Sequence, residues 1–550
     1  MRRRRFLGAG AVTLGAAGAL AAGQFLPGDA SASVGGPDAP AGPGAAVSGT
    51  VFKLGVASGD PLPTAIVLWT RLTPSTAGSS GILPPSVPVT WELASDSGFT
   101  KIVKSGTATA SGSLGHSVHV DAGGLTPATA YWYRFKALGR TSPTGRTRTA
   151  PAAGSTPDRL RIALASCQNW QHGYFTAYRD MREQDPDLVL FVGDYIYESS
   201  AYSYRVRRHE GGGAPVTLAQ YRARHEQYGT DPDLRAMRAA APFVAVFDDH
   251  EVEQDWAGDQ ANDPAAWPRE KFLARRAAAF QAFYEHMPIR TAQKPGGSGA
   301  LMYRSLDFGT LARLHVLDTR QYRDDQAATA AGAQQTGRVI MGDTQRNWLV
   351  NSMRGSGARW NLVASQVMMA ETDFLAGTGK EWSYDAWDGY QKERAALLRE
   401  FRSVRNPVVL SGDRHRTIVS DLKLDFADPG SAVVGAEFVG TSISSSGDED
   451  LQAFAAEWAP KLADNPHWKT VDARRGYLLL DFTADGAEAR LRAVSTVVTR
   501  NGTTTTAAAF RVDDGVPGVR RTDVPAGSPG EPGSGSPAAG AGSAQPATAP

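Results

Sequence analysis

The stretch PDLVLFVGDYIYE, residues 186–198, decides the fold of this chain. Residues 188–192 form an unbroken apolar run with polar or turn residues on both sides. A short run of this kind predicts a strand that is buried on both faces of a sheet. Gly193 and Asp194 end the run, and Tyr197 follows three positions after Asp194. Ligands of open α/β sheets bind beyond the carboxyl ends of the strands, so Asp194 and Tyr197 stand where a binding site is expected.

Four further apolar runs end in side chains that can bind metals. They are residues 160–166 before Cys167, 243–247 before Asp248 and Asp249, 360–365 before Gln366, and 407–412 before Asp413 and His415. A single aspartate after a strand is usually a turn residue or a helix cap. That explanation does not cover a set of strand ends that carries Asp, Tyr, Cys, Gln and His together. The set therefore predicts one site that is assembled at the edge of a sheet.

Length and charge limit the classes of protein to consider. With 550 residues, the chain is long enough for about two or three domains. Its 57 basic and 56 acidic residues nearly balance. Because binding of nucleic acid requires a strongly basic face, this composition argues against a nucleic-acid-binding module.

The N-terminal segment, residues 1–32, has the pattern of an export signal. The sequence RRRFL at residues 3–7 resembles a twin-arginine motif, a mildly apolar segment follows, and ASA at residues 30–32 is a small-residue cleavage site. Since the apolar segment is too weak for a permanent membrane span, we expect removal of the signal and secretion of the protein. A general secretory signal with an unusually basic start is the alternative. Twin-arginine export carries folded proteins, often with metal bound, which fits a metalloenzyme.

Cys167 is the single cysteine of the chain. An exported protein with one cysteine has no intramolecular disulfide. A buried, inert thiol is the usual interpretation of such a residue. Because Cys167 follows a strand and stands beside Gln168 rather than inside an apolar run, a metal-bound thiolate is favoured.

Composition and periodicity divide the rest of the chain into four segments. Residues 33–47 are a linker rich in Gly, Ala and Pro. Residues 48–151 contain short strands and turns, and the strand with Tyr131 resembles the tyrosine corner of fibronectin-III-like and immunoglobulin-like β-sandwiches, so we expect such a sandwich in a scaffold role. Strands alternate with helices in residues 157–513, which predicts an α/β domain. Residues 514–550 are rich in Gly, Pro, Ser and Ala and are expected to be disordered.

Helical spacing is found between the predicted strands. The helices are predicted at residues 174–182, 217–240, 269–286 and 345–353. The first of them joins two strands and predicts a right-handed βαβ crossover. The charges of the helix at 269–286 are interpreted as a solvated face. His315 alternates with apolar residues in a predicted strand and is interpreted as structural.

The residue types at the strand ends suit two metal ions that share one carboxylate, that of Asp194. Cys167, Tyr197 and His415 would complete a first site. A thiolate, a phenolate and an imidazole together favour iron over calcium or magnesium. The second site would have only oxygen ligands, a set that favours calcium, magnesium or manganese. Its predicted ligands are Asp194, Asp249, Gln366 and Asp413.

Two adjacent metal ions suit in-line displacement at phosphorus, since one activates water and both neutralise the developing charge. His250 stands beside Asp249 and is a candidate to hydrogen-bond the phosphoryl oxygens or to protonate the leaving group, with a structural histidine as the alternative. Arg414 and Arg416 flank His415 and could contact phosphate, although exposed surface charge is the simpler interpretation. A cysteine-nucleophile hydrolase is conceivable, but no histidine or asparagine pattern supports it better than metal binding.

Five motifs together resemble those of the PhoD-type alkaline phosphatases. They are Ser166-Cys167-Gln168, Gly193-Asp194-Tyr195-Ile196-Tyr197-Glu198, Asp248-Asp249-His250-Glu251, Gly412-Asp413-Arg414-His415 and Glu437-Phe438-Val439-Gly440-Thr441-Ser442. The resemblance extends over nearly the whole chain, including the sandwich and the signal. It implies an α/β fold, with a metallophosphoesterase-like α/β sandwich core preceded by a fibronectin-III/Ig-like β-sandwich domain.

The resemblance also implies the cofactors, Fe3+ and Ca2+. The ferric ion would be held by Cys167, Asp194, Tyr197 and His415. The core of the family resembles that of purple acid phosphatases, and this chain departs from their motifs. Asp249 takes the position of an asparagine, Asp413 takes that of a histidine, and Cys167 stands where a carboxylate is common.

Three functions remain open at this point. The favoured one is a secreted, metal-dependent phosphoesterase that hydrolyses phosphate monoesters, diesters or both. The second is a phospholipase D that acts on phospholipid diesters with the same core. The third is a non-catalytic, calcium-stabilised surface-binding module, which would not need Cys167, Tyr197 and His415 at three separate strand ends. Extracellular phosphate esters, phospholipids and teichoic-acid-like polymers are the candidate substrates, and a monomer is expected.

Overall fold

The structure is a computed structural model that describes residues 51–74, 83–200, 205–447 and 450–524. The predicted signal, the linker and most of the predicted tail lie outside the described residues. None of the helices in the described ranges is long and apolar enough to cross a membrane.

Strands dominate the described residues. The strands are β1 Val56–Leu62, β2 Ala65–Arg71, β3 Ser86–Ala94, β4 Ile102–Ser111, β5 Ser117–Gly123, β6 Ala130–Ala137, β7 Arg140–Thr141, β8 Gly145–Arg148, β9 Arg159–Ala165, β10 Leu188–Phe191, β11 Phe243–Ala245, β12 Arg304–Phe308, β13 Ala312–Val316, β14 Trp360–Ala364, β15 Pro407–Ser411, β16 Thr417–Lys423, β17 Val433–Val439, β18 Trp468–Asp472, β19 Gly476–Thr483, β20 Gly486–Val494, β21 Thr504–Asp513 and β22 Arg520–Thr522. The helices are α1 Ala177–Glu183, α2 Leu218–Gly229, α3 Pro232–Ala240, α4 Arg269–His286, α5 Ala330–Ala333, α6 Gly342–Arg354, α7 Gln391–Phe401 and α8 Leu451–Asp464.

Two large sheets face each other and enclose the main core. The first has ten strands in the order β22-β21-β20-β19-β9-β10-β11-β1-β2-β5, and the second has seven in the order β12-β13-β14-β15-β17-β16-β18. Buried side chains of both sheets belong to one apolar cluster. Trp360 of β14 donates a hydrogen bond to the Thr483 carbonyl at 2.8 Å, and its ring lies edge-on to Phe482 of β19. The α/β sandwich expected for the core is therefore present.

Parallel strands form the centre of each sheet. In the first sheet β9, β10 and β11 are parallel, and in the second sheet β13, β14, β15 and β17 are parallel. Helix α1 connects β9 to β10, as the predicted βαβ unit requires. The carboxyl ends of these strands carry Cys167, Asp194 and Asp248 in one sheet and Gln366 and Asp413 in the other.

The N-terminal sandwich is present, but one of its two sheets continues into the core. A five-stranded sheet of β4, β3, β6, β7 and β8 shares an apolar cluster with β1, β2 and β5. Strand β1 pairs in parallel with β11 at Gly59 and Phe243, so β1, β2 and β5 extend the ten-stranded sheet. The Tyr131 hydroxyl accepts a hydrogen bond from the Thr126 amide at 2.9 Å, which confirms the tyrosine corner.

Two expectations from the sequence are wrong in detail. The charges of α4 form a solvated face only in part: Glu270 and Lys271 are exposed, but Arg275 and Arg276 are buried, and Arg275 forms an ion pair with Glu253. The tail does not begin at residue 514, since β22 pairs with β21 and Asp514 forms an ion pair with Arg359 at 2.6 Å. Strand pairing and ion pairs hold this segment although its composition is poor in apolar residues.

His315 is buried beside Ser305 and is structural, as expected.

Candidate metal centre

The ends of three parallel strands bring the main candidate ligands together. Cys167 follows β9, Asp194 and Tyr197 follow β10, and His415 follows β15 of the other sheet. The Cys167 amide donates a hydrogen bond to the Gly193 carbonyl at 3.2 Å, which joins the first two loops. The site therefore lies between the two sheets, at their carboxyl edges.

Four candidate ligands have left-handed backbone conformations. The φ angles are 57° for Cys167, 59° for Asp194, 67° for Asp413 and 54° for His415. They are four of the twelve described non-glycine residues with positive φ. Such conformations cost free energy in residues other than glycine and are concentrated at functional sites. The loops therefore hold these side chains in directions that right-handed helical or extended backbone conformations would not give them.

Two glycines allow the loops to approach each other. Gly193 has a φ of 112°, and a Cβ there would lie 2.3 Å from the Cβ of Asp248. A Cβ at Gly412 would lie 2.6 Å from the Ser166 hydroxyl oxygen. Any side chain at either position would separate strand ends that carry candidate ligands.

One group of potential ligand atoms consists of those of Cys167, Asp194 and His415, which lie within 4.8 Å of one another. Tyr197 joins this group through its hydroxyl, which donates to Asp194 Oδ2 at 2.8 Å and lies 2.9 Å from His415 Nε2. The structure therefore brings together all four residues that were expected to hold one metal ion.

A second group consists of Asp194, Asp249 and His250, again with ligand atoms within 4.8 Å of one another. Asp194 belongs to both groups. Its Oδ2 accepts from Tyr197, whereas Oδ1 is buried and has no hydrogen-bond partner among the described residues. A buried carboxylate oxygen without a donor is costly unless a cation approaches it. This arrangement suits a carboxylate that bridges two metal ions.

The electrostatics of the centre agree with this geometry. Burial, together with the neighbouring Asp194 carboxylate, raises the pKa of Cys167 well above its usual value. Burial and the carboxylates of Asp249 and Asp248 raise the pKa of Asp194, although His250 opposes the shift. Burial and Asp194 also raise the pKa of Tyr197. The chain alone thus disfavours the anionic forms that a metal ion requires, and a bound cation would reverse that balance.

His415 is held as a neutral ligand candidate. Its Nδ1 lies 3.0 Å from the Ser446 hydroxyl, which leaves Nε2 directed toward Tyr197 and Asp194. Burial, with a contribution from His250, lowers the pKa of His415 to about 3. A histidine of this kind offers the Nε2 lone pair to a metal ion without first losing a proton.

His250 has a carboxylate partner that sequence analysis missed. Its Nδ1 lies 2.7 Å from Glu198 Oε2, and its ring lies 4.1 Å from the Tyr197 ring. Burial disfavours the charged imidazole, but Glu198, Asp249 and Asp194 outweigh burial and raise the pKa of His250 well above its usual value. Glu198 is the last residue of the motif Gly193–Glu198, and that motif was its signal in the sequence.

Arg320 is the main residue of the centre that sequence analysis did not assign. Its guanidinium is fully buried and contacts Asp248 Oδ1 at 2.5 Å, both Asp385 oxygens at 2.8 Å, and Asp249 at 3.8 Å. Arg320 comes from the loop after β13 of the seven-stranded sheet, whereas Asp248 and Asp249 follow β11 of the ten-stranded sheet. One buried cation therefore connects the two sheets beside the second group of ligands.

Glu251 fixes the backbone of the same edge. Its carboxylate accepts hydrogen bonds from the amides of Asp194 at 3.1 Å, Tyr195 at 2.5 Å and Asp248 at 2.8 Å. These bonds join the loop after β10 to the loop after β11. Glu251 is the last residue of the motif at 248–251, and that motif was its only signal in the sequence.

The structure does not support Gln366 as a metal ligand. Its side-chain oxygen accepts hydrogen bonds from the Thr319 amide at 2.8 Å and the Thr319 hydroxyl at 2.6 Å, and its amide nitrogen donates to the Leu317 carbonyl at 2.9 Å. Both lone pairs of the oxygen are used, so none is left for a cation. Gln366 instead positions the loop that carries Arg320.

Asp413 and Arg414 lie beside the centre rather than in either group of ligand atoms. Burial and the neighbouring Asp385 and Asp249 carboxylates raise the pKa of Asp413, against the effect of Arg414. Arg414 lies 3.6 Å from Asp413, donates to the Ser383 hydroxyl at 2.9 Å, and packs over the Phe374 ring. Its guanidinium is partly exposed and is available to a ligand that enters from solvent.

The residues present fit two metal ions. A thiol, a phenol, an imidazole and a carboxyl group converge at the first group, which is a donor set suited to iron. Carboxylates dominate the second group, which suits a harder cation. Asp194 belongs to both groups, and its Oδ1 has no hydrogen-bond partner among the described residues.

Comparisons with known proteins place the chain in a family of phosphatases. Residues 162–491 match the model of the PhoD-like phosphatase family, and residues 38–151 match that of the PhoD-like phosphatase N-terminal domain. The chain therefore belongs to the PhoD-like phosphatase family, as its motifs predict.

Two particular relatives support the same assignment. The chain is 41% identical over 483 residues to alkaline phosphatase D of Bacillus subtilis (strain 168). The aligned region covers 86% of this chain and 82% of that protein. A solved structure of PhoD matches with a TM-score of 0.81 and 40% identity, covering 87% of this chain and 94% of that one. The predicted α/β fold with a preceding β-sandwich is thereby confirmed.

Proposed function

We propose that this protein is a secreted, metal-dependent phosphoesterase that hydrolyses phosphate monoesters, diesters or both. The observation that carries the proposal is Asp194, whose carboxylate belongs to two groups of potential metal ligands and has a buried oxygen without a hydrogen-bond donor among the described residues. Membership of the PhoD-like phosphatase family supports the reaction class. The export signal at residues 1–32 supports secretion through the twin-arginine route.

The proposed cofactors are Fe3+ and Ca2+. Iron would be held by Cys167, Asp194, Tyr197 and His415, because thiolate and phenolate donors favour iron over harder divalent ions. Calcium would be held by oxygen atoms of Asp194 and Asp249, with Asp413, which lies beside the second group, as a further candidate ligand. When bound, the two ions would supply an activated water or hydroxide and neutralise charge on the phosphoryl group.

The chain itself supplies proton transfer and orientation. His250, with Nδ1 on Glu198, presents Nε2 as the group that hydrogen-bonds a phosphoryl oxygen or gives a proton to the leaving oxygen. Glu198 fixes the orientation of the ring, and Arg320 fixes the turn that carries Asp249. Arg414 is the candidate to contact a phosphate oxygen on the solvent side.

The first test is the metal content of natively exported protein, together with its visible absorbance. We expect about one iron ion per chain, with calcium, and a tyrosinate-to-iron charge-transfer band. Tyr197→Phe removes the phenolate and should abolish the band. Tyr303→Phe is the matched control, since Tyr303 packs against Trp348 and Tyr322 and should keep the band. Protein that contains only zinc or magnesium overturns the iron assignment, and full activity without metal overturns the mechanism.

The second test separates the substrate classes with the same metal-loaded protein. A phosphate monoester, a phosphate diester and phosphatidylcholine are assayed in parallel. Hydrolysis of the first two supports the proposal, and hydrolysis of phosphatidylcholine alone supports a phospholipase D. Calcium-dependent binding without hydrolysis of any of the three would instead indicate a surface-binding module.

A further inference from the structure

The segment after β17, residues 442–446, lies directly against the metal centre although no ligand comes from it. It leaves the seven-stranded sheet and forms a parallel bridge with the ten-stranded sheet at Ser166 and Ser442. The amide of Ser445 then donates to the Cys167 carbonyl at 3.1 Å. This serine-rich segment continues the motif at 437–442, for which the proposed reaction gives no role.

Ser445 makes the closest contact with a candidate ligand. Its buried hydroxyl oxygen lies 2.7 Å from the Tyr197 hydroxyl and 2.7 Å from the Cys167 carbonyl, and it accepts from the Asn169 amide at 3.1 Å. One side-chain oxygen thus touches the phenol of one ligand and the backbone of another.

The direction of these hydrogen bonds follows from the number of protons. The Asn169 amide supplies its own proton to Ser445, so the Ser445 hydroxyl has one proton for two acceptors. When Tyr197 binds a metal ion as a phenolate, its oxygen is the stronger of the two acceptors, since hydrogen bonds to ionised groups are stronger than those to neutral carbonyls. The incoming bond from Asn169 further polarises the Ser445 hydroxyl toward donation.

We propose that Ser445 is a positioning residue for Tyr197, and that its hydroxyl donates a hydrogen bond to the metal-bound phenolate and weakens it as an electron donor. This inference rests on the proposed iron site. It assigns the serine-rich segment a role in setting the electronic state of the metal centre. Groups that hydrogen-bond to metal ligands tune the affinity and redox potential of the metal in this way.

The variant Ser445→Ala tests the inference on metal-loaded protein. Without the donor, the phenolate holds more electron density, so the charge-transfer band should move to longer wavelength and the iron should become harder to reduce. Iron affinity or turnover should change by roughly tenfold. A merely structural role for Ser445 would lower stability but leave the band where it is.

Ser444→Ala is the matched control. Ser444 is also fully buried in the same segment, but its hydroxyl donates to the Asn169 carbonyl at 2.9 Å and does not touch Tyr197. We expect it to lose stability without a shift of the band. An equal shift in both variants would overturn the inference, because the effect would then come from the loop and not from the donor.

A measurement on the unmodified protein covers the case in which Ser445→Ala does not fold. Resonance Raman spectra excited in the charge-transfer band report the phenolate C–O vibration, which should shift between H2O and D2O because the donated proton exchanges. If the phenolate vibration is present but does not shift in D2O, the proposed role of Ser445 is overturned while the iron site stands. Absence of the band in the unmodified protein overturns the iron site, and this inference with it.

Discussion

Two clusters of mostly buried charged side chains, one around Asp388 and one at the metal centre, are balanced in different ways. In one cluster, Arg394 pairs with Asp388 and lies 3.4 Å from Glu371, which also pairs with Lys380. Asp388 accepts two further hydrogen bonds from Thr372. The two acids and two bases of this cluster compensate each other within the chain.

The Asp194 carboxylate of the metal centre has no ion-pair partner of this kind among the described residues. Its Oδ2 accepts from the Tyr197 hydroxyl, its Oδ1 has no donor among the described residues, and the nearby His250 imidazole forms its ion pair with Glu198. Arg320 compensates the neighbouring Asp248 and Asp385, but it does not contact the Asp194 carboxylate at ion-pair distance in the described structure. The difference teaches that a buried carboxylate with no ion-pair partner from its own chain, and with one oxygen free of hydrogen-bond donors among the described residues, is placed to bind a cation from solution.

The largest effect is expected from Asp194→Asn. The amide cannot bridge two cations, so kcat/KM on a phosphate ester should fall by about a thousandfold or more, since the loss of a metal ion removes several kcal/mol of transition-state stabilisation. The free energy of unfolding measured in chelator should change by less than about 1 kcal/mol. A large loss of stability in chelator would show that Asp194 is compensated by the chain after all.

Asp388→Asn should have the opposite profile. It leaves Arg394 buried without its closest carboxylate, which typically costs about 3–5 kcal/mol. Chemical denaturation measures this loss, and chelator should not alter it. The comparison between the clusters fails if Asp388→Asn is as stable as the unmodified protein.

Removal of metal gives a third and smaller effect. Ligands that bind only the folded state at about 100 times their dissociation constant add ~2.7 kcal/mol of stability, so chelator should lower the unfolding free energy by about that amount. Denaturation curves with and without chelator measure it for the unmodified protein, Asp388→Asn and Asp194→Asn. The first two should respond and the third should not, and a response in Asp194→Asn would contradict a bridging role.

The smallest effect concerns two buried, neutral histidines that lie near arginines. His225 and His286 stack with ring centroids 4.9 Å apart, and burial together with Arg238, Arg71 and Arg224 lowers the pKa of His225 to about 3. The unfolded chain binds a proton there below about pH 6.5 and the folded chain does not. The contribution of His225 to stability should therefore be constant above that pH and decrease below it, by about 1.4 kcal/mol per pH unit.

His225→Phe tests this expectation, because it keeps an aromatic ring of similar size without a titrating group. Unfolding free energies between pH 7 and pH 4.5 should fall less steeply for the variant. Equal slopes for the variant and the unmodified protein would mean that other residues cause the acid sensitivity.

Sequence patterns predicted the parts of the site that belong to single strand ends. Cys167, Asp194 and Tyr197 each follow an apolar run. Their residue types then favoured iron over calcium or magnesium as the predicted metal ion. The helix predicted at residues 269–286 has the observed bounds of α4. Local periodicity carries this information because each strand and its following loop are contiguous in the chain.

The missed features depend on contacts between distant residues. Arg320 reaches Asp248 across 72 positions, and Ser445 reaches Tyr197 across 248. Gln366 follows a strand like the other candidates, yet its hydrogen bonds to the neighbouring loop remove it from the site. An arginine or a serine after a strand is too common for its partner to be inferred from the sequence alone.

The parallel pairing of β1 with β11 has a consequence for protein engineering. A fragment that begins after residue 151 would lose β1 and leave the backbone of β11 as an open sheet edge. Unpaired edges of this kind recruit strands from other molecules. It would also lose the ion pair between Asp60 and Arg304, which leaves a mostly buried guanidinium without its carboxylate. The N-terminal region and the phosphatase region should therefore be expressed, swapped or fused as one piece.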